Sequence, residues 1–597
     1  MSSFLADYSA LSSSSPRSDL TQVLQNIINA PLPFISQSDR EELLKLLIND
    51  LKNYGPKSRL TNKDAAQAML ALKTLGKDPK GSLYLSSPGN LSTLLSFSST
   101  FKDDPEASGE ALRAVANALL LIVKARVTFV SREVGGSTII ATMFEKAATP
   151  DQIFILSRIL FLCTAEGTPL IRTLVEEKHH GRTIVDIIAA KLDMMITAIL
   201  SGTKLAREAM TDLLKFTFNL LHHYPKMTES EPQTTEARDE KEAKVIGDFW
   251  NSRLDSILPP LLRTFASLPP TFPCPMAAPL THVIHALITI PISPNLRPYW
   301  FGNSSPNHSN SNNTPKSPKS PSSPTSFSRS DSPSRGNQSP VRPSTLDRAL
   351  SVLSPHRRSS SRPESPAVNI DVLQRATDLL DVSFSHFFPD NVDVDDPSVK
   401  ERAKRDSPDN SPDALDDLLS PLLVFISRLC IADEQSRIRV RQWIVPDDLD
   451  RTSSLESRSD ILGRCLRLLG SVYHPRLKDS VGEMLFAMAD SNATTLCALF
   501  GYGNVAGYLF NKGIMSAPPP NTSTTNPSLT TPGGVQINPI TGTTEKPKPN
   551  EPEMTEEEKE REMEKLFVLF DRLEKSGNLS RDQNPIRKAI QESKLNT

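Results

Sequence analysis

Apolar residues recur at helical spacing along most of this chain, whereas alternating strand patterns are almost absent. An all-α protein is therefore expected. The pattern predicts helices at about 19–30, 37–53, 61–76, 89–98, 107–126, 150–165, 181–198, 203–223, 239–266, 277–290, 368–386, 412–431, 456–472, 477–489, 492–500, 503–514 and 554–575.

Four of the most apolar helices resemble one another, which suggests a repeat. They are 111-ALRAVANALLLIV-123, 155-ILSRILFLCTA-165, 212-DLLKFTFNLLHH-223 and 278-APLTHVIHALITI-290. When they are aligned, 44 residues separate Ala116 from Leu160, 58 separate Leu160 from Phe218, and 66 separate Phe218 from Ile284. The first spacing is that of an armadillo or HEAT repeat, and the longer ones imply inserted loops.

Helices that are apolar nearly all round are typical of repeats sandwiched between neighbouring repeats. The sequence thus predicts an armadillo/HEAT-like α-solenoid superhelix with a concave inner groove, and a compact multi-helix bundle is the competing fold. Two polar stretches interrupt the pattern. We expect this division: 1–301 N-terminal repeats, 302–365 disordered Ser/Pro-rich insertion, 366–515 C-terminal helical repeats, 516–552 Pro/Thr-rich linker, and 553–597 separate C-terminal helical segment.

The Ser/Pro-rich insertion has nine Lys or Arg residues against three Asp or Glu, and it contains several Ser-Pro pairs. It is either a solvated insertion between repeats or a tether tuned by phosphorylation, since each phosphate would offset one to two of its positive charges. Candidate phosphosites are Ser317, Ser320 and Ser332, together with Thr555, which precedes three glutamates.

Overall charge and composition exclude several classes of function. The formal net charge of −2 gives no global argument for a nucleic-acid or membrane partner. No uncharged run reaches the roughly 18–20 residues of a membrane span, and no secretory signal is evident, so a soluble cytoplasmic protein without membrane insertion is expected. The five cysteines have no metal-ligand spacing and are expected to be buried thiols in a reducing compartment.

The sequence contains no recognisable catalytic or metal-binding motif. The adjacent pairs His179-His180 and His222-His223 lack the i, i+4 spacing of a metal-binding helix. Neither G-x-S-x-G nor a cysteine-protease signature occurs. We therefore expect no catalytic residue, no metal site and no cofactor.

One stretch, 501-GYGNVAGYLFNKGIM-515, does spell the G-x-G-x-x-A variant of the dinucleotide fingerprint. That fingerprint requires a strand before the glycines and an acidic residue about 20 positions later. Here the preceding text is helical, and no acid follows before Glu545. We expect these glycines to make a sharp turn between two helices instead.

The same region carries a family resemblance. The runs 478-KDSVGEMLFAMADSN-492, 501-GYGNVAGYLFNKGIM-515 and 554-MTEEEKEREMEKLFVLFDRLEKSG-577 resemble the synembryn family, and the long insertion is in the style of a fungal member. The resemblance implies an armadillo/HEAT superhelix. It also implies a non-catalytic chaperone and guanine-nucleotide exchange factor for heterotrimeric G-protein α subunits (Gα), monomeric, cytoplasmic and recruited to the plasma membrane through Gα. The alternative is a general α-solenoid adaptor or scaffold that binds a linear peptide.

In such a protein the inner groove would bind the Gα C-terminal helix. Asn117 and Asn219 lie at the position where armadillo repeats place a groove asparagine, although each could equally make a capping or an inter-repeat hydrogen bond. Lys73 and Lys77 are four apart, share a predicted helical face and match a basic pair of the family that would meet the anionic chain end of Gα; the alternative is a plain solvated face. Arg158 lies inside an apolar helix, so we expect it to face the groove or a buried partner.

Overall fold

The computed structural model describes residues 4–228, 250–302, 371–407, 411, 413–514 and 535–544. Within these ranges lie 24 α-helices, a few short 3₁₀ helices and two isolated β-bridges. The first half contains α1 (Phe4–Ser9), α2 (Arg17–Asn29), α3 (Gln37–Lys52), α4 (Ala65–Leu75), α5 (Pro79–Leu85), α6 (Pro88–Thr100), α7 (Pro105–Leu121), α8 (Val123–Val130), α9 (Gly136–Lys146), α10 (Pro150–Thr164), α11 (Leu170–Glu176) and α12 (Ile184–Leu200). The second half contains α13 (Ala206–Met227), α14 (Leu258–Ser267), α15 (Leu280–Ile288), α16 (Arg297–Phe301), α17 (Val372–Phe387), α18 (Pro397–Asp406), α19 (Ala414–Ala432), α20 (Glu434–Ile444), α21 (Ile461–Leu469), α22 (Pro475–Met488), α23 (Ala493–Phe500) and α24 (Tyr502–Asn511).

Local sequence signals fix the starts of the long helices. The Asp104 carboxylate accepts hydrogen bonds from two first-turn amides of α7, and Pro105 follows it at the first helical position. Thr149 and Pro150 begin α10 in the same way. These caps satisfy amides that have no partner inside the helix, so each helix starts at a defined residue.

Eight helices form a continuous ladder in which each packs against the next. In order they are α2, α4, α7, α10, α13, α15, α19 and α22. The four helices aligned in the sequence are α7, α10, α13 and α15, which are consecutive in this ladder. The prediction of a repeat is therefore confirmed. Among the described residues, the 58-residue spacing contains α11 and α12, and the 66-residue spacing contains α14.

A second layer of helices covers one side of the ladder. α6 packs on α7, α9 on α10, α12 on α13, α14 on α15, α17 on α19 and α21 on α22. Members of this layer also contact one another in sequence, from α12 to α14, α17, α21 and α24. Contacts that run only between neighbouring repeats are those of an α-solenoid, and they exclude the compact bundle.

Several predicted elements differ from the structure. The predicted helix 107–126 is broken, because Ile122 adopts an extended conformation between α7 and α8. The described part of the predicted helix 239–266 is a 3₁₀ turn, Ser252–Ile257, followed by α14. The predicted insertion 302–365 and the predicted C-terminal segment lie outside the described residues, apart from Gly302.

Candidate functional site

Several helices of the ladder carry partly exposed side chains at three- and four-residue spacing, here called the ladder stripe. They lie on α4, α7, α10, α13 and α15, each of which packs against the next. We define the stripe as Lys73, Arg113, Asn117, Phe154, Arg158, Phe161, Lys215, Phe218, His222, His282 and His285.

The first part of the stripe is an ion-pair chain across three helices. Lys73 Nζ lies 2.5 Å from Glu110 Oε2, and the other oxygen of Glu110 accepts from Arg113 at 3.0 Å. Arg113 also pairs with Asp151 on α10. Lys73 on α4 therefore forms an ion pair with α7, and Glu110 already balances its charge within the protein.

The second part of the stripe joins α10 to α13. Arg158 Nε donates to the Asp212 carboxylate at 2.8 Å, and Lys215 lies 4.0 Å from the same group. Burial raises the pKa of Asp212, while the attraction of Arg158 and Lys215 acts in the opposite direction. The carboxylate is only 3% exposed and Arg158 is 42% exposed, so the pair is anchored at its acidic end and open to solvent at its basic end.

Aromatic rings support both basic groups. The Arg158 guanidinium lies 4.5 Å from the centroid of the Phe154 ring, and Lys215 Nζ lies 5.8 Å from that of Phe161. Such cation–π contacts fix long side chains that would otherwise be mobile. The middle of the stripe thus presents cationic heads alternating with aromatic faces.

Beyond Lys215 the stripe becomes aromatic and uncharged. The Phe218 ring stacks on His222 with centroids 5.6 Å apart. Burial, assisted by the nearby Lys215, lowers the pKa of His282 to about 4, and burial also lowers the pKa values of His222 and His285. These imidazoles are therefore neutral at pH 7, and the exposed Lys226, whose Nζ lies 3.0 Å from His222 Nε2, is the nearest charge to His222.

The structure separates the five predicted partner-binding residues into two groups. Asn219 is buried and donates to the Phe161 carbonyl and the Thr164 hydroxyl, both at 3.0 Å, which is the inter-repeat bond foreseen as its alternative role. Asn117 is partly exposed and has no side-chain hydrogen bond within the described residues. Equivalent positions in two repeats thus have different surroundings.

The predicted basic pair does not share a helix. α4 ends at Leu75, so Lys77 lies beyond its end, and the expectation of a common helical face is wrong. Lys77 is exposed and forms no ion pair among the residues that the structure describes. Of the two lysines, Lys77 has the charge that a partner could neutralise.

Other chemistry is limited in the described parts of the chain. All five cysteines are buried free thiols, and no group of three or more His, Cys, Asp or Glu residues there is placed to hold a metal ion. None of the helices described is long and apolar enough to span a bilayer. The candidate phosphosites Ser317, Ser320, Ser332 and Thr555 lie outside the described residues.

A cleft of about 530 Å³ lies between α16, α17 and α20, away from the stripe. Two arginines line it, but Arg297 pairs with Asp433 at 2.5 Å and Arg439 pairs with Asp371 at 2.6 Å. Both cations are thus neutralised inside the protein, as Arg158 of the stripe is by Asp212, and the cleft is a second candidate surface.

The glycines of residues 501–515 form the predicted turn between two helices. They also contact a second segment of the chain, which the sequence did not suggest. Gly501, at φ +82°, separates α23 from α24, which confirms the inter-helix turn. In addition, residues 535–544, inside the predicted linker, pack against this turn: Tyr502 and Gly503 donate backbone hydrogen bonds to Pro539 and Ile540. The glycines were the only signal in the sequence for this close approach.

Comparison with known proteins gives consistent results. The family model described as Ric8, guanine nucleotide exchange factor synembryn, matches residues 68–594. The chaperone Ric-8A of Gallus gallus is 28% identical over 193 residues, which is 29% of this chain and 35% of that protein. The synembryn-like chaperone of Schizosaccharomyces pombe is 30% identical over 158 residues, which is 25% of this chain and 30% of that protein.

The matched part therefore spans about a third of the length of these curated relatives. Among solved structures, a chain from work on a phosphorylation switch between cadherin and β-catenin aligns over 83% of both chains with 10% identity and a TM-score of 0.25. At that score the two chains do not superpose as wholes, and the solenoid assignment rests on the helix packing described above. Because the family model covers most of the sequence, the chain belongs to the guanine nucleotide exchange factor synembryn (Ric8) family.

Proposed function

We propose that this chain is a guanine-nucleotide exchange factor and folding chaperone for heterotrimeric G-protein α subunits, and that its ladder stripe binds the Gα C-terminal helix. The observation that carries the proposal is the alternation of basic heads and aromatic faces from Phe154 to His222 across α10 and α13. A helical peptide that ends in a carboxylate needs this combination. Aromatic faces bury its apolar side chains, and cations attract its negative end.

The proposed mechanism involves binding only. If the stripe holds the C-terminal helix of Gα away from its own domain, the protein binds nucleotide-free Gα more tightly than the GDP form. By linkage, GDP affinity then falls by the same factor, and a 100-fold preference corresponds to about 2.7 kcal/mol. The same stabilisation of an open, nucleotide-free state accounts for a chaperone role.

Different residues of the site would have different tasks. We assign direct contact with Gα to Lys77, Asn117 and Arg158, because their polar groups remain accessible to a partner. Lys73 and Asn219 would act indirectly, since Lys73 positions α7 through Glu110 and Asn219 holds α13 on α10.

The organisation predicted from sequence completes the proposal. The repeats 1–301 and 366–515 would form the binding surface, while the insertion 302–365, with Ser317, Ser320 and Ser332, and the segment 553–597, with Thr555, would carry regulation. The protein would act as a monomer in the cytoplasm and reach the plasma membrane through Gα.

A direct test is nucleotide uptake. GTPγS binding to purified GDP-loaded Gα should accelerate on addition of the full chain, and a labelled Gα C-terminal peptide should bind it. A protein that gives neither result is not an exchange factor of this kind. Binding of many unrelated amphipathic peptides with equal affinity, without exchange, would instead favour the general solenoid adaptor.

Matched variants would locate the site. Arg158→Ala combined with Asp212→Asn removes the guanidinium without leaving an unpaired buried carboxylate. Arg263→Ala with Asp193→Asn removes an arginine–aspartate pair of similar length, 3.0 Å, but exposed at both ends, from the second layer. The first double variant should weaken peptide binding at least tenfold and the second should leave it unchanged. Equal effects would exclude the ladder stripe as the binding surface.

A further inference from the structure

Residues 535–544 form a compact turn that closes on itself. Asn538 accepts hydrogen bonds through its side chain from the Ile540 and Thr541 amides, at 2.8 and 3.2 Å. Its backbone amide donates to the Thr543 carbonyl, and its carbonyl accepts from the Gly542 amide, both at 2.8 Å. The turn is therefore held together by hydrogen bonds among its own residues.

This turn caps the last helix of the described repeats. The Tyr502 amide donates to the Pro539 carbonyl and the Gly503 amide to the Ile540 carbonyl, both at 2.8 Å. Tyr502 and Gly503 are the first two residues of α24, where amides have no acceptor inside their own helix. The turn thus supplies acceptors that the helix lacks.

Three glycines make the approach possible. A Cβ atom on Gly501 would lie 2.6 Å from the Ile540 carbonyl oxygen, and one on Gly503 would lie 3.0 Å from the same atom. A Cβ atom on Gly542 would overlap the Phe500 backbone, and Gly542 also has φ +70°. Side chains at these positions would separate the two backbones.

Arg451 clamps the turn from the opposite side. Its guanidinium donates to the Gly542 carbonyl at 2.7 Å and to the Leu499 carbonyl at 3.0 Å, so one side chain bridges turn and solenoid. The Arg451 carbonyl accepts from the Thr544 amide at 2.8 Å. The buried Arg451 guanidinium therefore bonds to main-chain oxygens of both the turn and the solenoid. Such contacts depend on the backbone conformation of the turn and not on its side chains.

We propose that Arg451, Gly501 and Gly503 form a binding site for a glycine-containing turn, that its ligand is the chain's own residues 535–544, and that the docked turn anchors the C-terminal part of the chain at the last repeat. Only Gly542 of the turn is buried, so backbone hydrogen bonds hold it and no large apolar side chain does. Docking of this kind can be reversed without unfolding the repeats.

The docked turn fixes the point on the solenoid from which the C-terminal part of the chain starts. Thr544 is bonded to Arg451, and 53 residues follow it. If the turn were released, only the backbone leading to Ile514, 30 residues earlier, would connect those residues to the repeats. Their local concentration near a partner held on the solenoid would fall. This step, unlike the binding site itself, rests on the proposed exchange function.

Hydrogen exchange in the full-length chain tests the docking. Gly542→Ala should speed exchange of the Tyr502 and Gly503 amides at least tenfold, because the turn supplies their acceptors, while the rest of α24 stays protected. Gln536→Ala, on an exposed side chain of the same segment that makes no hydrogen bond within the described residues, is the control. Gly503→Ala and Gly507→Ala form a second pair, since a Cβ on Gly507 meets nothing within 4 Å. Unchanged amide exchange in Gly542→Ala would overturn the site.

A peptide experiment tests recognition separately. A labelled peptide of residues 535–544 should bind the full-length Gly542→Ala variant, whose site is vacant, at least tenfold more tightly than the wild type, whose site is occupied. The same peptide carrying Gly542→Ala should not bind. Equal binding to both proteins would contradict an intrachain ligand.

Exchange assays then test the anchoring step. Gly542→Ala should reduce acceleration of GTPγS uptake several-fold while leaving affinity for the Gα C-terminal peptide unchanged. If the wild type gives no acceleration, the proposed function fails and the amide result still stands. If wild type and Gly542→Ala are equally active although the turn is released, the anchoring role is refuted.

Discussion

Asn117 and Asn219 occupy equivalent positions in two repeats, and their replacement by alanine should have opposite consequences. Asn219 is 6% exposed and donates two hydrogen bonds of 3.0 Å to α10. At about 1 kcal/mol of net stability for each bond, Asn219→Ala should destabilise the α10–α13 contact by about 2 kcal/mol. Asn117→Ala should change stability by less than about 0.5 kcal/mol, because water can replace its contacts.

Local hydrogen exchange is the suitable assay, because a repeat array does not unfold as a single two-state unit. A loss of about 2 kcal/mol corresponds to roughly 30-fold faster exchange of the protected amides of α10 and α13. Affinity for the Gα C-terminal peptide is measured in parallel. Asn117→Ala should lower the affinity for the peptide and leave amide exchange at the wild-type rate. Asn219→Ala should speed amide exchange in α10 and α13, and any loss of peptide affinity should follow from that destabilisation.

The opposite pattern would refute this reasoning. If Asn219→Ala left amide exchange within about threefold of the wild type and reduced peptide affinity tenfold, Asn219 would be a contact residue and its bonds to α10 would be unimportant. Asn219→Asp provides a further check, because a carboxylate cannot donate to the Phe161 carbonyl. It should destabilise α13 at least as much as alanine does.

Three other outcomes follow from the same contacts. Lys77→Glu should weaken peptide binding and reduce its salt dependence with little loss of stability. Lys73→Glu should destabilise the α4–α7 contact by placing two acids together at Glu110, as faster hydrogen exchange of the α4 and α7 amides can show. Because the folded-state pKa of His282 is about 4, against an ordinary 6.5, the unfolded chain gains the proton first as the pH falls. The wild type should therefore lose up to about 3 kcal/mol relative to His282→Gln between pH 6.5 and 4, measured from hydrogen exchange of the protected α15 amides in the two proteins at each pH. All five thiols are buried and their pKa values are raised by burial, so a disulfide reagent should react slowly with the native protein and rapidly with five thiols in urea.

The ladder could be predicted from sequence because its helices are buried between neighbours. α10 and α13 are long and apolar on most sides, so their periodicity dominates any short window. α18, with the sequence PSVKERAKRD, buries only Val399 and Ala403 and shows no comparable pattern. The break at Ile122 lies within continuous apolar text, where composition does not mark an end.

The partners of the charged and amide groups could not be predicted, since they depend on the register between helices. Lys73 pairs with a glutamate 37 residues away, and Asn219 donates to a carbonyl 58 residues away. A shift of one helix by a single turn would exchange these partners without changing any local pattern. Thus, apart from Lys77, the sequence identified polar residues on the correct helices but could not distinguish a contact with a partner from a contact between repeats.

The glycine stretch shows the same limit most clearly. A glycine in a helix start signals that another backbone approaches, but it does not identify that backbone. Both a nucleotide-binding loop and a sharp turn between helices would account for these glycines. The absence of a preceding strand excluded only the nucleotide-binding loop. The approaching group is a turn that begins about 30 residues later, across text whose Pro and Thr content suggested a linker. Its partner glycine, Gly542, lies in that text, and only the contact between Gly501 and Gly542 explains both residues at once.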